Sequence, residues 1–389
     1  MSRTFPMRKK TGPRGSKIIV NGLLVICTSV ITILLIELLT GGLLTHKIKQ
    51  FHNQIVTYHK LLTTSRWPIG AFRYHQTIGF ELTPSFSGML ENNAFYLKTH
   101  HLGYRAPKFA DQESFEPGGI LSVGCSFTFG DGVEAEETFS YLTAKHFNLQ
   151  SYNYGVCSYS YAGVILQLDD LRQRGILAKL KPSMVILGAG NWLLDRSLRP
   201  FYPTADLQFA YAYIGKKDNR LQIMQPNDFY STKHLYRLVD RYFNGSGSRK
   251  VKLTFARYLR LISISPRVSK ANLDHKKFKK PRVSSRELYD FVIGRITGIL
   301  SGYDPTIIIL RMPYLDEEEI DAGLVESIKG FGNVLLVDGL TALKKYKVPR
   351  EYYYKRHPSV EAHAAYAQAL VETITGACET VKTKQGGAK

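Results

Sequence analysis

Residues 119–130 read Gly-Ile-Leu-Ser-Val-Gly-Cys-Ser-Phe-Thr-Phe-Gly, a short apolar run closed by glycines and followed at once by a serine. A run of this length between glycines reads as a strand buried on both faces. Four more runs share that character: Tyr152 to Val156, Ser183 to Leu187 just after Pro182, Thr306 to Leu310, and Val334 to Val337. Between them Tyr161, Val164, Leu168 and Leu171 are spaced for one apolar helix face, as are Tyr366, Leu370 and Ile374. Strands alternating with helices predict an α/β fold of three layers around a parallel sheet of about five strands, with ligands bound beyond the carboxyl ends of the strands.

The residues at those ends carry chemistry. Ser126 follows the first strand, Asn153-Tyr154-Gly155 ends the second, Gly188-Ala189-Gly190-Asn191 ends the third, and His357-Pro358-Ser359 opens the last helix. Taken alone, a serine after a strand is a helix N-cap and an asparagine a turn former. Together, a hydroxyl, a glycine N–H, an amide and an imidazole on one sheet edge make up the parts list of acyl transfer. His363 lies on the apolar face of the last helix and reads as structural.

These pieces resemble the four blocks of the SGNH (GDSL-like) hydrolase family. The stretch around Ser126 resembles the family's G-D-S-x-T-x-G form, Gly155 and Asn191 match its second and third blocks, and His357-Pro358 with His363 resembles H-P-x-x-x-G-H. Upstream, Gly103-Tyr104-Arg105 resembles a G-F-R element of membrane-anchored members. The likeness runs in order over residues 76–376, with 193–285 as a basic insertion. It implies a flavodoxin-like strand order, Ser126 as nucleophile, His357 as base, and an oxyanion held by the N–H groups of Ser126 and Gly155 and the Asn191 amide. It also implies an ester-bearing carbohydrate or lipid as substrate, with water or a sugar hydroxyl as acceptor, and no cofactor. Three positions depart from the family. Cys125 stands for Asp, Ala362 for Gly, and Tyr354 and Lys355 occupy the places of the acid that orients the histidine. A backbone carbonyl or Glu351 is expected to take that acid's role; the alternative is a catalytically degenerate binding protein of polysaccharide assembly.

The formal net charge of +20 is local. Residues 1–17 carry six Lys/Arg and no acid, and residues 248–282 carry twelve against Asp274 alone. The first cluster precedes 19 uncharged residues, Ile18 to Ile36, close to the roughly 20 that span a bilayer core. The positive-inside rule then predicts a single-pass anchor in the cytoplasmic (inner) membrane with the C-terminal domain periplasmic or otherwise extracytoplasmic. A cleaved signal peptide is the alternative, but its apolar core would be shorter, and no A-x-A-like site follows Leu44. The expected organisation is a basic tail (1–17), a transmembrane helix (18–45), a juxtamembrane stalk (46–75), the hydrolase-like domain (76–380) and a tail (381–389). Nucleic acid is not an expected partner there, so the second basic cluster reads as a solvated insertion, or as a surface for anionic lipid or acidic polysaccharide. The oligomeric state stays open. No histidine pattern with acids suggests a metal, His100-His101 being the nearest candidate, and Cys125 and Cys157 read as two unpaired buried thiols, with a disulfide between them as the alternative.

Overall fold

The computed structural model describes residues 24–32, 35, 71–75, 77–90, 95–199, 201–204, 207–210, 212–225, 280–314, 317, 319–349 and 357–386. The chain divides into two compact units, residues 1–61 and 62–389. In the first unit the described stretch is helical, and Leu24, Val25, Ile26, Val30 and Ile31 are exposed. The Thr28, Ser29 and Thr32 hydroxyls donate to the carbonyls of Leu24, Val25 and Thr28, four residues back, at 2.7, 2.8 and 2.8 Å. Among the described residues no helix is long and apolar enough to cross a membrane. Most of the expected anchor (18–45), the expected stalk up to residue 70 and the basic stretch up to residue 279 lie outside the described residues.

The second unit begins with a hairpin of β1 (Phe72–His75) and β2 (Gly79–Leu82), which straddles the expected stalk boundary at 75. Next come β3 (Ser87–Leu90), β4 (Phe95–Thr99) and β5 (Arg105–Ala106). Then β6 (Ile120–Val123), α1 (Ser126–Phe129), α2 (Phe139–His146), β7 (Ser151–Asn153), α3 (Tyr161–Gln173), α4 (Ile176–Leu180), β8 (Met184–Ala189) and α5 (Asn191–Ser197) follow. The insertion forms two hairpins where it is described, β9 (Phe201–Thr204) with β10 (Leu207–Ala210) and β11 (Tyr213–Lys217) with β12 (Arg220–Met224). The chain closes with α6 (Ser285–Leu300), β13 (Thr306–Arg311), α7 (Ala322–Lys329), β14 (Val334–Asp338), α8 (Gly339–Lys345) and α9 (Val360–Gly386).

The five strands expected from the apolar runs are β6, β7, β8, β13 and β14. They pair in parallel in the order β7-β6-β8-β13-β14, the flavodoxin-like 2-1-3-4-5 arrangement. Burial on both faces is why the three central strands read as continuous apolar runs: all four residues of β6, and all but the first of β8 and of β13, are buried.

A sheet of about five parallel strands is nevertheless too small a description. Among the described residues the sheet has eight strands and is mixed, because β5, β4 and β3 extend it antiparallel beyond β7. These additions are short. β5 has two residues and β3 contains a glycine, so neither offers the length or β-branched content that marks a strand.

Right-handed crossovers place the helices on two faces. α2, α8 and α9 pack together in one layer, and α3, α6 and α7 in the other. Caps fix where they start. Ser160 accepts from Gly163 N before α3, Ser284 from Glu287 N before α6, and Asp338 from Leu340 N and Thr341 N before α8. The chain leaves β6 toward β7 on one side and returns past it to β8 on the other, so the topological switch lies between the ends of β6 and β8. Ser126 and Asn191 are the residues that follow those two ends.

Candidate active site

The turn after β6 is built on small residues. Gly124 has φ 156°, and a Cβ there would collide with the Thr128 side chain. Closely packed in this way, α1 presents Ser126 at its first position, 8% exposed. His357 meets it across 231 residues of sequence, its Nε2 2.9 Å from Ser126 Oγ. That is hydrogen-bonding reach for a nucleophile and its base.

A second histidine follows in the same segment. Six residues on, His363 is fully buried in α9, accepts the Phe139 N–H at 3.2 Å on its Nδ1 and stacks on the Phe139 ring. Burial, helped by the Arg105 and His357 charges, pushes its pKa down to about 3, so it is neutral at working pH. It docks α9 onto α2, a structural task.

Gly155 sits where the order of motifs puts it, but its N–H is occupied: it donates to Asn153 Oδ1 at 2.9 Å. The other end of the same amide, Asn153 Nδ2, donates to Thr128 O at 2.9 Å. A Cβ at Gly155 would run into the backbone of Thr128 and Phe129. Glycine here therefore serves the close approach of the loop to α1, and its N–H is already engaged by Asn153.

Asn191 opens α5, and its Oδ1 is buried with no hydrogen-bond partner among the described residues. Its neighbour Trp192 packs on Phe127 at 4.6 Å between ring centroids, and Phe127 meets the His357 ring edge-on at 5.4 Å. These contacts set the first turn of α5 beside the nucleophile. Tyr314, beyond β13, completes the group, 5.6 Å from Trp192. Trp192 and Tyr314 are half-buried while Phe127 is fully buried, so the site carries an apolar, aromatic wall.

Tyr354, Lys355 and Glu351, from which the histidine's acid was sought, lie outside the described residues. A residue not singled out in the sequence stands beside the histidine. Asp131 is 5% exposed, and its Oδ2 is 3.5 Å from His357 Nε2. It follows Gly130, whose φ of 82° reverses the chain after α1, and its N–H donates to Ser126 O at 3.0 Å. The loop is clamped by Arg105, fully buried, which donates to the carbonyls of Phe129, Gly130 and Val133 at 2.6, 2.8 and 2.5 Å and lies over the Phe129 ring. Burial lowers the Arg105 pKa to about 10, which leaves it charged at neutral pH.

Cys125 and Cys157 are both buried free thiols, and burial pushes Cys157 well above its ordinary pKa, so it is no nucleophile. His100 and His101 tie down the following loop through Ser114 O and Gln112 O. Among the described residues one trio could hold a metal, His75, Glu81 and Asp170. Its acids are engaged by Arg73 and Arg174 and make an ion-pair network between β1, β2 and α3.

The sequence matches no protein-family model and no curated protein. Among solved structures it is similar to a member of the lipolytic G-D-S-L family from Veillonella parvula, with 13% identity over 66% of this chain and 97% of that one and a TM-score of 0.35. A lipolytic protein of the same family from Desulfitobacterium hafniense gives 15% identity over 65% and 98% and a TM-score of 0.32. An acetylxylan esterase from Geobacillus stearothermophilus gives 14% over 67% and 96%, with a TM-score of 0.33. Scores this low add nothing to the contact between Ser126 and His357.

Proposed function

We propose that this chain is a serine-dependent hydrolase of acyl esters, and the 2.9 Å approach of His357 Nε2 to Ser126 Oγ is the observation that carries the reading. In the proposed cycle Ser126 gives its proton to His357 Nε2 as Oγ bonds the ester carbonyl carbon and the carbonyl electron pair moves onto oxygen. The imidazolium then protonates the departing alkoxide oxygen, leaving an acyl-serine and a free alcohol. Water repeats the sequence, losing a proton to His357 and releasing the acid as Oγ is reprotonated. A sugar hydroxyl in place of that water would make the same site an acyltransferase.

Oxyanion stabilisation falls mainly to the Asn191 amide and the N–H of Ser126, first in its helix and so without an intrahelical acceptor. Because the Gly155 N–H is engaged by Asn153, Asn191→Ala is expected to lower kcat by about 10²- to 10³-fold with KM little changed. Steady-state kinetics on one ester decide it, and a kcat within threefold of wild type would remove Asn191 from the oxyanion hole.

The half-buried rings of Trp192 and Tyr314 favour an apolar or pyranose-ring face next to the reacting ester, which supports a carbohydrate or lipid ester as substrate. The anchored, extracytoplasmic placement is supported by the basic N-terminus, the apolar run and the hydroxyls of Thr28, Ser29 and Thr32 turned back onto their own helix. A periplasm-dependent reporter fused after residue 389 is expected to be active; activity of a cytoplasm-dependent reporter there instead would reject this topology.

One observation favours a second reading, a degenerate binding protein: the occupied Gly155 N–H leaves the oxyanion hole short of a donor. The full-length protein tested on acetyl and longer acyl esters separates the two. Turnover above the Ser126→Ala background is expected, and its absence across the panel would favour the binding protein.

A further inference from the structure

Resting on the hydrolase reading, we propose that Asp131 supplies the carboxylate that stabilises the His357 imidazolium, from beyond α1 rather than from just upstream of the histidine. Three observations converge on this residue. Its Oδ2 lies 3.5 Å from the same Nε2 that faces Ser126 Oγ. It is nearly fully buried, and a buried carboxylate is costly unless it faces a compensating charge. Its backbone is tethered on both sides, by its own N–H on Ser126 O and by the Arg105 clamp on Phe129, Gly130 and Val133. A loop held this firmly next to a nucleophile fixes a charge at a chosen place.

The geometry sets the role. Because Asp131 faces Nε2, it does not select the ring tautomer through Nδ1. When Ser126 passes its proton to Nε2, the new N–H lies between the reacting oxygen and Asp131 Oδ2. The proton stays on the imidazole, which holds it more tightly than a carboxylate by more than roughly two pH units in ordinary peptides, and goes on to the leaving alkoxide. Asp131 remains a carboxylate throughout, a positioning residue that lowers the energy of the imidazolium. Around the pair stand the Arg105 guanidinium and the Cys157 thiol near Asp131, and Ser126, the Phe127 ring edge and the neutral His363 near His357.

The test uses full-length Asp131→Asn and Asp131→Glu proteins with two readouts: kinetics on the ester turned over fastest, and the pH dependence of carbethoxylation of His357 by diethyl pyrocarbonate, followed by mass spectrometry of its peptide. Asp131→Asn is expected to lower kcat about 10- to 100-fold with KM within twofold, less than the loss of a tautomer-fixing acid, roughly 3 × 10⁴-fold in a serine protease. The midpoint at which His357 becomes reactive should fall by about one pH unit, since an opposite charge at this range favours the protonated ring. Asp131→Glu should recover part of both. In a His357→Ala background Asp131→Asn should cost nothing further. Unchanged kcat and an unmoved midpoint in Asp131→Asn would overturn the proposal. If the wild type turns over no ester, the carbethoxylation midpoint still decides Asp131, and only the hydrolase reading falls.

Discussion

Ser126→Ala is expected to lower kcat for ester hydrolysis by about 10⁴-fold or more while KM stays within a few-fold. The side chain is small and 8% exposed, so its loss removes a nucleophile without opening a cavity. The α1 turn is held by groups that the substitution leaves in place, namely Gly124, the Asn153 amide and the Arg105 clamp. His357→Ala should cost a similar factor, and the double variant no more than either one, because a nucleophile and its base act as a unit. Matched rates for wild type and Ser126→Ala on an ester that the wild type cleaves would place the chemistry elsewhere.

The second large effect concerns stability. Arg105→Met is expected to destabilise the fold by about 3 kcal/mol, since three carbonyls lose a charged donor at roughly 1–3 kcal/mol each and only Phe129 O and Gly130 O keep a second, longer one, from Asn153 Nδ2 at 3.4 Å and Val133 N at 3.3 Å. Against a total stability of about 5–15 kcal/mol this is a severe loss. Arg105→Lys should recover only part of it, because one ammonium cannot reproduce a planar fork reaching Phe129, Gly130 and Val133 at once. Denaturant midpoints of the full chain measure both. Activity should fall further than stability alone predicts, as the clamped loop also carries Asp131.

This arginine marks a limit of reading from sequence. Its place in Gly103-Tyr104-Arg105 was visible, but its task depends on carbonyls 24 to 28 residues downstream. Asp131 escaped notice for a related reason. It stands five residues past the serine with no periodicity to mark it, and the acid was sought beside His357, in a stretch the described residues do not reach. The occupied Gly155 N–H had a visible signal: Asn153 two residues before a glycine is the pattern of an Asx turn.

β6, β8 and β13 were legible because burial on both faces writes them as unbroken apolar runs, whereas the order of the five parallel strands came from the family resemblance and not from the alternation with helices. β4 was missed although Phe95, Leu97 and Thr99 do alternate inward, since five residues between loops give a weak period-2 signal. β5 owes its two residues of pairing to the strands on either side, β4 through Arg105 and Ala106 and β7 through Arg105, rather than to any local preference. The partnership of Ser126 with His357, separated by most of the domain, was legible only as an order of motifs at strand ends; the fold turns that order into a distance.

In the proposed hydrolase His357 activates Ser126. Treating the full-length protein with a fluorophosphonate probe and mapping the adduct by mass spectrometry tests it most directly, without knowledge of the substrate. A label on Ser126 is expected in the wild type, with at least about 100-fold slower labelling in His357→Ala, a general base being worth roughly 10²- to 10⁴-fold. No adduct on Ser126, or one that forms equally fast without His357, would contradict it.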